Sequence, residues 1–142
     1  MAKLKPWPIV AGVVLDAMGS IVVGIFYVLA ILSAQVAQSG QTVEDVLATQ
    51  HLIVLEIIGL LLTATGGFLA GRLAGASHIC HGIAVGIGGL LVWLPFALIG
   101  ITDGFPAWYE LASFIGMVPA GALGGYLAAR VNSPLQAASG GP

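Results

Sequence analysis

Four stretches of this chain, residues 9–34, 46–69, 79–101 and 107–129, are almost wholly apolar. Each is long enough to cross the roughly 30 Å hydrocarbon core of a bilayer at about 1.5 Å per helical residue. Inside lipid a backbone must satisfy its own hydrogen bonds, so each stretch is expected to form a helix. The polar–apolar alternation of a barrel strand is absent. Composition agrees: only 7% of residues are charged, against about 25% in a soluble domain. Mean hydropathy is +1.05. The expected fold is therefore an all-α, integral membrane four-helix bundle. It would form one transmembrane domain over 1–131, with helices at about 9–34, 43–72, 78–100 and 106–130 and a disordered tail at 132–142.

The basic start at Lys3 and Lys5 and the small residues Ser33 and Ala34 resemble a signal peptide. The apolar run between them exceeds the usual 7–15 residues of such a segment, so a retained helix is expected, beginning after Pro6, Trp7 and Pro8. Charge then sets the orientation. The four basic residues, Lys3, Lys5, Arg72 and Arg130, fall before the first helix, after the second and after the fourth. These places share one side of the membrane, which the positive-inside rule makes cytoplasmic. Both termini are thus expected in the cytoplasm. Glu44, Asp45, Asp103 and Glu110 fall on the opposite side. Trp7 marks one membrane boundary and Trp108 and Tyr109 the other, where amphipathic rings prefer to lie. Trp93 is mid-helix and expected to pack. The segment 35–41 reads as an outer loop, and Thr42 with Asp45 offers a capping box for the second helix.

The chain nearly repeats itself. "GGFLAGR" begins at Gly66 and "GGYLAAR" at Gly124, aligning Phe68 with Tyr126 and Arg72 with Arg130. Gly12 with Gly82, and Gly19 with Gly89, align the other two helices less closely. Two repeated helical hairpins are expected, related by an axis along the membrane normal. The glycines also recur one turn apart: Gly67, Gly71 and Gly75, then Gly82 and Gly86, then Gly121 and Gly125. Small residues at that spacing let helix backbones approach closely in lipid, within the chain or between chains.

Two carboxylates fall inside the apolar stretches, Asp16 in the first and Glu56 in the second. Such residues are costly in a membrane and usually face the bundle interior or a pathway. Three readings stand. Each could bind a proton or cation during transport, form a structural hydrogen bond to Ser20, Thr63 or Thr65, or pair with a basic residue of another subunit. His78, Cys80 and His81 form a second polar group at the start of the third helix, and these residue types ligate metals and haem. The remaining histidine, His51, falls at the opposite membrane surface, so one chain cannot sandwich a haem between histidines at one depth. An alternative partner for Asp16 is His81. No metal and no cofactor is expected. The lone Cys80 allows no internal disulfide. No hydrolytic triad, phosphate loop or nucleic-acid patch is present in the sequence, so neither an enzyme nor a nucleic-acid binder is expected.

The run "GGFLAGRLAG" followed by "HG" resembles segments of small bacterial four-helix membrane proteins. That resemblance implies a bacterial inner-membrane location and no particular activity. Small multidrug-resistance transporters also share the size and an acid in the first helix. Their acid sits in a Glu-centred motif from which "VVLDAMGS" departs, so their site is not transferred to Asp16. The sequence leaves two functions. The first is a non-catalytic accessory or scaffold subunit, partnered by the bilayer and other membrane proteins. The second is a homo-oligomeric small transporter or channel using Asp16 and Glu56.

Overall fold

Proline opens the first helix, α1 (Pro6–Tyr27), where the missing N–H costs nothing and the fixed φ suits the first turn. In the computed structural model, which describes residues 4–40, 49–100 and 104–139, α1 leads through a π-helical turn (Val28–Leu32) into α2 (Ser33–Ser39). Then follow α3 (Thr49–Ala74), α4 (His78–Leu98) and α5 (Ala107–Ser139). Every regular element among the described residues is helical. Four helical segments, Pro6–Ser39, Gln50–Ala74, His78–Leu98 and Ala107–Val131, are long and apolar enough to cross a membrane.

The ends differ from the sequence boundaries in instructive ways. Helix begins at Pro6, ahead of the expected stop, and continues to Ser39 through residues read as loop. The π turn makes this continuation possible by taking up the extra residue without ending the helix. The expected capping box at Thr42 and Asp45 lies outside the described residues. At the other end of α3, Gly75 takes a φ of +70° and Ser77 one of 51°, which together stop one helix and start the next. Pro95 lies inside α4, which ends one turn later as the Ile99 N–H bonds the Pro95 carbonyl at 3.1 Å. Helix α5 continues through Pro119 to Ser139.

What is buried and what is exposed is the reverse of a soluble domain. The interior is rich in small and polar residues, Ala70, Ala74 and Ala128 with Asp16, Thr63 and His81, beside the larger Leu52, Val85 and Tyr27. The large apolar side chains point outward, among them Val22, Phe26, Leu61, Leu91 and Ile115, with Phe26 at 67% exposure. Water would penalise a surface that is apolar all round, whereas hydrocarbon would not.

Small residues are buried because the helices cross backbone to backbone. α3 and α5 make the most extensive pairing, α4 packs on both, and α1 lies against α3 and α4. Where α1 crosses α3, a Cβ on Gly66 would stand 2.5 Å from the Gly12 carbonyl oxygen. Gly121 serves two crossings. A Cβ added there would strike the Gly82 carbonyl of α4, and one added to Gly67 of α3 would strike the Gly121 carbonyl. A Cβ on Gly86 or Gly125 would likewise press on the backbone facing it, at Met117 or His78. Gly71 faces Ala128 and His78. These close approaches lie within one chain. Gly75 departs from the expected packing face: a Cβ there would meet nothing within 4 Å, and the residue serves as the helix stop.

Two basic side chains follow the same local pattern. The Arg72 guanidinium lies 5.8 Å from the Phe68 ring centroid, and Arg130 lies 5.0 Å from that of Tyr126. Each cation covers an aromatic ring one turn earlier on its own helix.

Candidate functional site: an acidic cavity between the helices

Away from the glycine crossings the helices separate. A cavity of about 460 Å³ opens among α1, α3, α4 and α5. Six residues define its chemistry: Asp16, Glu56, Thr63, Trp93, Tyr109 and Ser113. Glu110, read from the sequence as an outer-side charge, also lines it. The rest of the wall is largely apolar, and among the described residues no lysine, arginine or histidine lines it.

Asp16 enters from α1 and is 2% exposed. One oxygen, Oδ1, accepts a hydrogen bond from the Thr63 hydroxyl at 2.9 Å. That hydroxyl also lies 3.2 Å from the Gly59 carbonyl one turn back, so a single proton serves two acceptors. The other oxygen, Oδ2, is buried and has no hydrogen-bond partner among the described residues. Gly89 of α4 leaves the space beside it, since a Cβ there would sit 3.1 Å from Oδ2.

Glu56 enters from α3 and repeats the arrangement. Its Oε2 accepts from the Ser113 hydroxyl of α5 at 2.5 Å, and Oε1 is buried and unpartnered among the described residues. Ser113 also lies 3.0 Å from the Tyr109 carbonyl. Glu56 and Thr63 stand two turns apart on one face of α3, so their backbone positions are about 10 Å apart along the helix axis. Each carboxylate station thus has one oxygen held by a hydroxyl from a neighbouring helix and one buried without a partner among the described residues. An open buried carboxylate oxygen is expensive unless a proton, a cation or water satisfies it.

The sequence singled out both acids, and the structure brings them to one cavity. Of the three candidate partners for Asp16, Thr63 takes the bond. Thr65 turns outward and bonds its own helix at the Leu61 carbonyl, 2.7 Å away, while Ser20 lines the cavity. Trp93 and Tyr109, read as a packing residue and a boundary ring, form part of the wall. Ser113 carried no signal in the sequence, because the facing of two helices cannot be read from either alone.

The histidine group behaves differently. His81 is 1% exposed, and both ring nitrogens are engaged. Its Nε2 accepts from the Lys5 backbone N–H at 3.0 Å, which leaves Nδ1 to donate to the Ser77 carbonyl at 3.0 Å. It is therefore occupied by Lys5 and Ser77 rather than Asp16. His78 Nδ1 meets the Gly71 carbonyl at 2.6 Å, and Cys80 is exposed. The Lys5 ammonium donates to the Ala74 carbonyl at 2.9 Å, closing the last turn of α3. These residues tie helix ends together. Among the described residues no three histidine, cysteine or acidic side chains form a metal-binding group.

One pair was not foreseen. The Tyr27 hydroxyl meets His51 Nδ1 at 2.6 Å, linking α1 to α3 just before the π turn, with both residues 7% exposed. No family model, no curated protein and no solved structure matches this chain.

Proposed function

We propose that this chain is a small multi-pass membrane transporter whose cavity passes protons or cations, with Asp16 and Glu56 as the binding groups. One observation carries the reading. Of the three carboxylates in membrane-length helices that line a single cavity, two, Asp16 and Glu56, each leave a buried oxygen without a partner among the described residues. Structural acids would be expected to have both oxygens satisfied. No basic side chain among the described lining residues offsets the charge of these acids, which leaves room for a proton or cation from outside.

The chain works as a homo-oligomer in a bacterial inner membrane, with both termini cytoplasmic and two hairpins related by a repeat. The matched Arg72–Phe68 and Arg130–Tyr126 pairs support the repeat. Cys80 is exposed and is the chain's single cysteine, so it reports the orientation directly. A membrane-impermeant maleimide should leave it unlabelled in intact cells and label it after permeabilisation. Labelling of intact cells would reverse the topology.

Flux in proteoliposomes tests the transport reading. A proton or monovalent-cation gradient should dissipate through the parent protein and not through Asp16→Asn. The asparagine keeps an oxygen for Thr63 to donate to, so the variant should stay folded. No flux in the parent, or equal flux in both, would sink the reading.

The accessory-subunit reading has one observation in its favour. A shallow groove on the outer face of α1, lined by residues such as Trp7, Val14, Met18 and Leu69, has the apolar character of a helix-docking surface. It predicts that other membrane proteins co-purify at fixed ratios and are released by Val14→Trp. The internal packing of Gly67, Gly82, Gly121 and Gly125 weakens it, because those close approaches are taken up within the chain.

A further inference from the structure

The proposed function leaves the cargo open between a proton and some larger cation. The two stations narrow it. Asp16 is more than nine-tenths buried and lines the cavity, and its Oδ2, itself buried, has no partner among the described residues. Glu56 Oε1 is likewise buried and unpartnered among the described residues, on a residue whose backbone lies about 10 Å along α3 from that of Thr63. Between them the wall is apolar and aromatic, with Leu60, Trp93 and Met117 contributing to it.

Several ligand classes fail against this layout. An anion would meet acids and no base. A single metal ion would need both carboxylates within about 2.0–2.6 Å of it, whereas Glu56 and the Thr63 that holds Asp16 stand about 10 Å apart along α3. An uncharged apolar ligand would fill the space and leave both oxygens without a donor. A compact monocation satisfies one station and strands the other. A proton on each acid satisfies it singly, and among organic ligands that engage both acids at once the layout favours an elongated molecule with a cationic nitrogen at each end and hydrocarbon between.

We infer that the cavity is a two-ended site for a long α,ω-diamine, one ammonium donating to Asp16 and the other to Glu56. This rests on the reading of those two acids as ligand-binding groups. Two ammoniums offset the charge of Asp16 and Glu56, while Glu110 lines the cavity as a third acid, and pairing opposite charges lowers the cost of holding them within hydrocarbon. The aromatic rings of Trp93 and Tyr109 add cation–π contact with the ends or apolar contact with the chain. A volume of about 460 Å³ falls within the range of roughly 300–1,000 Å³ typical of small-molecule sites.

Calorimetric titration of the full chain in nanodiscs, with empty nanodiscs subtracted, tests the inference. The probes are diaminooctane, octylamine and diaminopropane. Diaminooctane places its nitrogens about 11 Å apart when extended, by bond lengths of about 1.5 Å. Diaminooctane should bind at least tenfold more tightly than octylamine and than diaminopropane. Asp16→Asn and Glu56→Gln should each reduce that preference to less than threefold. Equal affinity for diaminooctane and octylamine would overturn the two-ended site, as would equal affinity for the two diamines or no heat above the empty discs. The parent comparison stands even if either variant fails to fold. Proton flux that depends on Asp16 without diamine binding would sink this inference and spare the transport reading. Diamine binding without any flux would do the reverse.

Discussion

The two ends of this bundle are built on opposite plans. At one end, glycine and alanine bring α1, α3, α4 and α5 together until backbone touches backbone, as at Gly12 and Gly66 and around Gly121. Lys5, His78 and His81 then tie the helix ends with bonds to backbone. At the other end, side chains such as Leu60, Trp93 and Met117 line a cavity among the same helices, together with the acids Asp16, Glu56 and Glu110. Side-chain size thus decides which part of a helix pair is solid and which is hollow. Asp16 sits where the two plans meet, one turn from Gly12 and with Gly89 leaving the room for its Oδ2.

Substitutions at the two ends should therefore fail in different ways. The largest effect is expected from Gly121→Leu, which drives a side chain into the backbone of α4 beside its crossing with α3. It should cost about 3 kcal/mol or more and leave aggregated protein on size exclusion in detergent. A folded, monodisperse variant would mean that the close crossing is not what holds this end together. Next is Thr63→Val, which removes the hydroxyl that donates to Asp16 Oδ1. It should cost about 1–2 kcal/mol in unfolding by denaturing detergent and reduce flux several-fold. Unaltered flux would separate Asp16 from transport.

Much of the glycine end was legible in the sequence, and little of the cavity end was. Hydropathy alone marks the four spans, because crossing hydrocarbon demands length and apolar character and nothing more specific. The one-turn spacing of Gly67, Gly71, Gly82, Gly86, Gly121 and Gly125 announces close packing. It does not tell which helix each faces, and Gly121 meets two. The acids were visible as charges in apolar runs. Their partners were not, because helical period gives a face and contact needs the register between helices. Hence Thr63 could not be told from Ser20 or Thr65, and Ser113 was missed. Tyr27 and His51 were missed for the same reason: neither stands out on its own helix, and only packing makes them a pair.

Smaller changes sharpen the contrast further. Gly89→Ala would place a methyl 3.1 Å from Asp16 Oδ2 and 3.5 Å from the Met117 sulfur, where the flexible methionine can yield. It should lower flux a few-fold while the melting temperature moves little. An unchanged flux would mean that the open oxygen is not the working one. Tyr27→Phe removes the bond to His51 and should cost about 0.6–1 kcal/mol, the usual worth of a hydrogen bond between membrane helices. Amide exchange should quicken around the π turn, Val28–Leu32, and not at Gly12 or Gly66. Uniform quickening would show that the two ends open together.

The most direct test of a solid end and a working hollow end is to plug the cavity without touching an acid. Gly24 lines the cavity, and a Cβ there meets nothing within 4 Å. Flux and melting temperature should be measured together for Gly24→Leu. Flux at the level of empty liposomes, with a melting temperature equal to the parent's, is the expected result. Parental flux through a well-folded Gly24→Leu would contradict the assignment of this cavity as the path.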